Sequence, residues 1–388
     1  MKVAIVTFVR ACNYGAVLQT YALNKVILDL GAESKVIDYY PSCFYNSYNL
    51  CAYGKLRRKP SRHIKWWIKN NLLFIRVRRR NNQFDRFLKK YIQVTKEQYH
   101  DVSELSKCND YDVYISGSDQ VWNPYLCDFD EAFFLSFCKD KKRLSYAASF
   151  GITEIPEQYI NEYKKRLSNW AGYSVREDSG VELIAQLVGE KALCHCDPTL
   201  LLNSNDWITS LSLKKNKSDF IVVYCVNVSD NLLRCAQELS KKFGLKVYCL
   251  HCVMRPQYFN KLDNDYGFKI LYSASPKDFL TYILNAKYVL TDSFHGTVFS
   301  IIFHKAFLCE TVRKDGFINK RVADLLEALA LCNRVLDDNS FDTIKKKIEW
   351  EKVDNKLLKL KKKGIDYLTS RIKKECMTNE DFNNYTGL

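Results

Sequence analysis

A chain of 388 residues exceeds the usual size of one domain, so two hydrophobic cores are expected. Nearly half of it is hydrophobic, at 47%, with only 14 Gly and 7 Pro, which excludes collagen-like, linker-rich and disordered classes. The formal charge of +15 points to anionic partners, and it is concentrated rather than uniform.

Lys2 to Val6 reads as a first strand. No apolar signal region precedes it and no run approaches the roughly 18 to 20 uncharged residues of a membrane span, so a cytoplasmic protein is expected. Asn13-Tyr14-Gly15 reads as a turn and Ala16 to Leu30 as a helix with Val17, Leu18, Tyr21, Ala22, Val26, Ile27 and Leu30 on one face. Gly31 ends that helix, and Val36-Ile37 gives the next strand of a βαβ opening.

From Lys55 to Arg80 basic residues occur without one acid, interleaved with Trp66, Trp67, Ile68, Leu72, Leu73, Phe74 and Ile75. This suits a helix lying on an anionic membrane surface, or a grip on a lipid-linked anionic substrate, with Arg57, Arg58, Lys65, Trp66 and Trp67 as the contact residues. The bland alternative is a solvated basic helix packing its Trp pair on the domain. The same charge would attract nucleic acid, which is not among the partners expected here.

A helix follows around Phe84 to Tyr91. The strands Tyr111 to Ile115, Leu144 to Ala148 and Tyr173 to Val175 then stop at Ser116-Gly117-Ser118-Asp119-Gln120, Ser149-Phe150-Gly151 and Arg176-Glu177-Asp178. Small and polar residues at such strand ends are where open parallel sheets bind ligands. Lys214 to Ser218 is the candidate linker. Beyond it come a strand at Phe220 to Val226, a strand at Lys246 to Leu250, a helix at Pro276 to Asn285, a strand at Tyr288 to Leu290, and the turn Thr291 to Gly296 feeding an apolar helix. Glu349 to Lys374 reads as a terminal basic amphipathic helix. The expected layout is residues 1–213 as a first domain with a basic insertion at about 41–100, residues 218–345 as a second, and 349–388 as a helix and tail.

Fifteen cysteines, odd in number and scattered from Cys12 to Cys376, suit a reducing compartment. Cys194-His195-Cys196 and Cys249, His251 and Cys252 could supply soft ligands to zinc, but neither has C-x2-C spacing, and core packing is the better reading. No metal is expected.

The chemistry concentrates at two strand-to-helix turns. Asn13-Tyr14-Gly15 and Ser293 to Gly296 would each offer backbone N–H groups and a helix dipole to a common cleft, with Gly15 and Gly296 letting a ligand approach closely, so an anionic donor is implied. Neither turn matches a P-loop or a G-x-G-x-x-G fingerprint. His295 is the candidate for proton transfer. Arg176 is a candidate clamp for a carboxylate or phosphate, against a plain ion pair with a local acid. Asp119 and Asp292 could accept a hydroxyl proton, or simply cap helices.

Together these segments resemble the polysaccharide pyruvyl transferase family. The matching pieces are Asn13 to Leu23, Gly117 to Asn123 with Ser118 and Asp119, Tyr146 to Gly151, Ser174 to Glu177, Asp197 to Leu201, and Thr291 to Gly296. The resemblance implies an α/β fold of two Rossmann-like domains facing a cleft, similar to GT-B glycosyltransferases, with a C-terminal helix following. It implies phosphoenolpyruvate as donor substrate, no cofactor, and a pyruvyl ketal on a sugar diol as product, in cell-surface polysaccharide biosynthesis. Arg176 and His295 match family residues around the donor, His295 as proton donor or phosphate ligand. Asn13, Tyr14, Gly15, Ser118, Asp292, Ser293 and Gly296 are then substrate-site residues, and Asp119 a base. Many members carry Arg where this chain has Ser293, so a nearby Lys or Arg must replace it, or the donor differs. The acceptor expected is a sugar, and the basic aromatic stretch suggests one on a lipid-linked oligosaccharide at the inner face of a membrane. Two alternatives stand beside this: a GT-B glycosyltransferase with a sugar-nucleotide donor, and a non-catalytic membrane-surface assembly protein.

Overall fold

The computed structural model describes residues 1–44, 64–138, 142–216, 219–227, 229–251, 266–312, 319–337 and 340–372. Arg57 and Arg58 lie outside these residues, as do the side chains of Lys65, Trp66 and Trp67, so the proposed membrane-facing contacts belong to the undescribed part.

The first half carries β1 (Lys2–Val6), α1 (Tyr14–Asp29), β2 (Glu33–Tyr39), α2 (Ile64–Tyr91), β3 (Val94–Tyr99), β4 (Val113–Ser116), β5 (Lys142–Ser145), α3 (Ile160–Leu167), β6 (Tyr173–Val175), α4 (Asp178–Val188), β7 (Ala192–Cys194) and α5 (Ser204–Leu211). The second half carries β8 (Phe220–Cys225), α6 (Asp230–Phe243), β9 (Lys246–His251), β10 (Lys269–Ile270), α7 (Pro276–Asn285), β11 (Tyr288–Thr291), α8 (Phe294–Ile302), β12 (Ala306–Cys309) and α9 (Lys320–Ala328), followed by α10 (Ser340–Thr343) and α11 (Trp350–Ile372).

Each half is built on a five-stranded parallel sheet, ordered β3-β2-β1-β4-β5 in the first and β10-β9-β8-β11-β12 in the second. Both are the same winding, with the strand order reversing beside the first strand of each domain, the place where such sheets open a crevice. The parallel pair β6-β7 prolongs the first sheet through bridges from Leu144 to Gly172 and from Ala148 to Val175. Strands such as β1 and β11 are apolar on both faces because helices cover both sides.

β3 and the whole of α2 fall inside the stretch read as a basic insertion, so that stretch supplies an edge of the central sheet. The sequence of β3, VTKEQY, is largely exposed between its buried Thr95 and Tyr99, as befits an edge.

One continuous hydrophobic cluster joins the domains, running from Val3, Ile5 and Trp207 through Tyr14 and Tyr21 to Phe279 and Phe299. This is why α1 is buried on nearly every side rather than along the single stripe its periodicity suggests. The ring of Tyr14 stacks on Phe279 at 4.7 Å, and its hydroxyl donates to the carbonyl of Ala274, 3.1 Å away in the second domain. Helix α11 returns to the first domain, where the Tyr367 hydroxyl donates to the carbonyl of Ser145. No helix among the described residues is long and apolar enough to cross a membrane.

Candidate functional site

The C-terminal ends of β4, β5, β6, β7 and β11 deliver short polar loops to one place, facing the N-termini of α1 and α8. At its centre is Asp197, just beyond β7 and 1% exposed. Its Oδ1 accepts from the backbone N–H of Thr199 at 3.0 Å and from the Thr199 hydroxyl at 2.7 Å. Its Oδ2 accepts from the Ser118 hydroxyl at 3.0 Å and from Arg176 Nη1 at 3.0 Å, with His295 Nε2 3.5 Å away. Burial alone would raise the pKa of this carboxyl. His295, Arg176 and Thr199 outweigh it and hold Asp197 far below the usual carboxylate range.

Arg176 follows β6, and only 2% of its side chain is exposed. Besides Asp197 it approaches Glu177 through Nε at 3.4 Å, while Phe294 lies beneath its guanidinium at 4.9 Å. Burial opposes its charge, but Glu177, Asp197 and Asp119 raise its pKa further than burial lowers it. The ion pair weighed from the sequence is therefore present, with Glu177 and also with an acid 21 residues away. Yet Arg176 Nη2 has no hydrogen-bond partner among the described residues; Asp119 Oδ1 stands 3.9 Å from it. His295 is 7% exposed and its Nε2 is likewise buried without a hydrogen bond. A buried donor left without a hydrogen bond is an unfilled demand for an acceptor.

The other predicted residues divide by what they touch. Asn13 caps α1, its side-chain oxygen accepting from Gly15 N at 2.9 Å and from Ala16 N at 3.5 Å. Ser293 caps α8 by accepting from Gly296 N. Two of the N-terminal amide sets expected to meet an anion are thus already engaged by their own caps. Tyr14 is wholly buried between the domains, away from solvent, and serves packing. Asp292 accepts from the backbone N–H groups of Val226 and Asn227 at 2.6 and 2.7 Å, tying β11 to the end of β8. Burial raises its pKa to about 6 despite those bonds. Asp119 accepts from Gln120 N and sits at a left-handed φ of 79°, which Asp tolerates better than most residues.

At both glycines the space a side chain would fill is taken by another residue of the protein. A β-carbon on Gly15 would stand 2.0 Å from His295 Nδ1, and one on Gly296 would stand 2.2 Å from Thr291 Oγ1. Gly15 makes room for the imidazole across the domain boundary; Gly296 lets α8 pack on its own strand.

Of the candidate zinc residues, His195 lies buried between the rings of Tyr146 and Tyr367, with Nδ1 2.8 Å from the Ser174 hydroxyl. Cys252 and the side chain of His251 lie outside the described residues. No group of three potential ligands gathers among the described residues.

Sequence reasoning placed Asp197 in a matching segment but not in the site. Its signal is the Asp-Pro-Thr order, in which the carboxylate folds back on the amide two residues ahead. It also missed Glu177, held by the Ser149 hydroxyl at 2.6 Å, and Arg321 at the start of α9, which no motif marks.

Two parallel-sheet domains that face each other, with polar loops meeting at their strand ends, define a GT-B-like α/β protein. The chain belongs to the polysaccharide pyruvyl transferase family, which it matches over residues 13–312. Curated protein sequences yield no match. Among solved structures, the S. aureus MnaA–UDP co-structure is similar in fold at 12% identity and a TM-score of 0.50, covering 96% of this chain and 94% of that one. A UDP-GlcNAc 2-epimerase from Neisseria meningitidis bound to UDP-GlcNAc aligns at 13% identity and a TM-score of 0.44, over 97% and 95% of the two chains. AviGT4, a glycosyltransferase involved in avilamycin A biosynthesis, aligns at 11% identity and a TM-score of 0.46, over 100% and 99%.

Proposed function

We propose that this protein transfers the pyruvyl group of phosphoenolpyruvate to two hydroxyls of a sugar, forming a ketal and releasing phosphate. The observation that carries the reading is the pair of buried, unpartnered donors, Arg176 Nη2 and His295 Nε2, gathered about Asp197 in a member of this family.

The chemistry asks for an acid, a base and an anion clamp. His295 gives a proton to the methylene carbon of phosphoenolpyruvate, which turns that carbon into a methyl group and the central carbon into an electrophile. Asp197 keeps the imidazole oriented and compensates its charge while it is protonated. One sugar hydroxyl adds to the central carbon and loses its proton to Asp119. The C–O bond to phosphate breaks, the second hydroxyl adds, and its proton leaves, closing the ketal. Of the two protons released, one restores the imidazole and the other goes to phosphate. Arg176 holds the carboxylate or phosphate, and its fixed position makes that help available without reorganisation. The acceptor is a sugar, and the basic stretch from Lys55 to Arg80 suits one carried on an anionic lipid.

The test is phosphate release from phosphoenolpyruvate in the presence of galactosides, mannosides and amino sugars, free and lipid-linked. Release that depends on the acceptor supports pyruvyl transfer. Silence with every acceptor, together with tight binding of a uridine or guanosine diphosphate sugar, would replace it with glycosyl transfer.

A further inference from the structure

Arg321 enters the site from the opposite domain. It stands at the second position of α9, whose N-cap Asn319 donates its backbone N–H to the Thr311 carbonyl at 2.7 Å and its side-chain amide to the Asp292 carbonyl at 3.3 Å. The start of α9 is thereby fastened to the residue that precedes Ser293, and Arg321 is aimed at the loops of the first domain. With its amide oxygen turned to the guanidinium, Gln120 accepts from both Nη1 and Nη2 of Arg321 at 3.1 Å.

A neutral amide is its hydrogen-bonding partner, and no carboxylate lies within ion-pair distance of this partly buried cation among the described residues. Burial lowers its pKa, and the Arg176 guanidinium lowers it further, while Glu177, Asp119 and Asp197 oppose them from a distance. Gln120 follows Asp119, whose Oδ1 stands 3.9 Å from Arg176 Nη2, so one short loop meets both guanidiniums, and like charges brought to one loop are stabilised by an anion. Arg176 Nη2 and His295 Nε2 are buried without a hydrogen bond among the described residues.

We infer that Arg321 is the second guanidinium of the anion site, supplied by the second domain to a ligand that Arg176 holds from the first. The ligand class is a small molecule bearing two anionic groups, a carboxylate and a phosphate, and it bridges the domains. The assignment of phosphoenolpyruvate as that ligand rests on the proposed function.

Calorimetric titration of the full chain with phosphoenolpyruvate, and separately with inorganic phosphate, tests the assignment on wild type, Arg321→Gln and Arg321→Lys. Loss of a charged hydrogen-bonding partner is expected to weaken phosphoenolpyruvate binding by about 10- to 100-fold in Arg321→Gln, with Arg321→Lys weakened less. Thermal melting of both unliganded variants should match wild type or exceed it, because no acid loses its partner and a like-charge repulsion is reduced or kept. Wild-type binding that persists unchanged in Arg321→Gln overturns the assignment alone. If wild type binds phosphate but not phosphoenolpyruvate, the donor reading falls, and an unchanged phosphate affinity in Arg321→Gln removes Arg321 from the anion site as well.

Discussion

Gly15 and His295 meet across the domain boundary, so close that a β-carbon on residue 15 would lie 2.0 Å from the imidazole Nδ1. His295 of one domain is therefore seated against the first turn of the other domain's leading helix, and its position depends on how the two domains pack. Gly15→Ala forces the ring to move or the domains to part. Since displacement of a catalytic group by about 1 Å can cost 10²-fold, turnover should fall by about that factor while the variant still folds. Steady-state phosphate release alongside a circular dichroism melt separates the two effects; unchanged turnover would mean the ring is not held where the reaction needs it.

Tyr14 tests the boundary in another way. Tyr14→Phe keeps the stack on Phe279 and loses the hydroxyl bond to Ala274, a cost of about 1 kcal/mol. Tyr14→Ala also leaves a cavity at the centre of the shared core and should cost about 3 to 5 kcal/mol. Urea unfolding measures both, and equal costs for the two variants would show that the ring contributes nothing.

Asp197 is held ionised by His295 and Arg176 against the pull of its burial. Its folded form keeps the charge to lower pH than the unfolded chain does, so the stability it confers is complete above about pH 4 and is lost as pH falls below that. Asp197→Asn should destabilise by about 3 to 5 kcal/mol at neutral pH, because the buried Arg176 guanidinium loses its carboxylate partner on the neighbouring loop. The variant should also lack part of the wild-type loss of stability below pH 4. Denaturation series at pH 7 and pH 3 read both effects.

His195 has the opposite character to a charged site residue. Burial, with a smaller contribution from Lys363, lowers its pKa from 6.5 to about 4. The unfolded chain therefore takes up a proton between pH 6.5 and 4 that the native state refuses, and stability declines as pH falls through that window, by roughly 3 kcal/mol in all. His195→Gln should decline less over the same window. A parallel decline of both proteins would place the wild-type proton elsewhere.

Which parts of this were legible in the sequence follows from where the physical constraint acts. Apolar runs bounded by turns marked β1, β8 and β11, and the helix read from Pro276 to Asn285 is α7, whose start the structure holds with a capping box of Ser275 and Asp278. The edge strand β3 was hidden, since half its side chains face water and its sequence alternates no more than a loop does. α2 reads from the sequence as two pieces, a basic helix within Lys55 to Arg80 and a helix around Phe84 to Tyr91, where Phe84, Phe87 and Leu88 are buried; the structure joins them in one helix, Ile64–Tyr91.

At the site, residues at strand ends could be picked out, but not their partners. Arg176 was expected to find a neighbouring acid, and it also reaches Asp197 on the next strand. The glycine at 15 suggested close approach, but only the packing of the domains shows that the approaching group is a histidine. Arg321 carries no local signal, because its role depends on the bonds from Asn319 that fasten α9 beside the Ser293 turn.

The most direct test of the donor assignment is a comparison of wild type with His295→Ala for phosphate release from phosphoenolpyruvate, with the mass of the acceptor product determined. The predicted result is acceptor-dependent release by wild type, a product carrying one pyruvyl ketal, and a fall in turnover of about 10²- to 10⁴-fold in the variant. Near-normal turnover by a folded His295→Ala protein, or release with no change in the acceptor's mass, would contradict it.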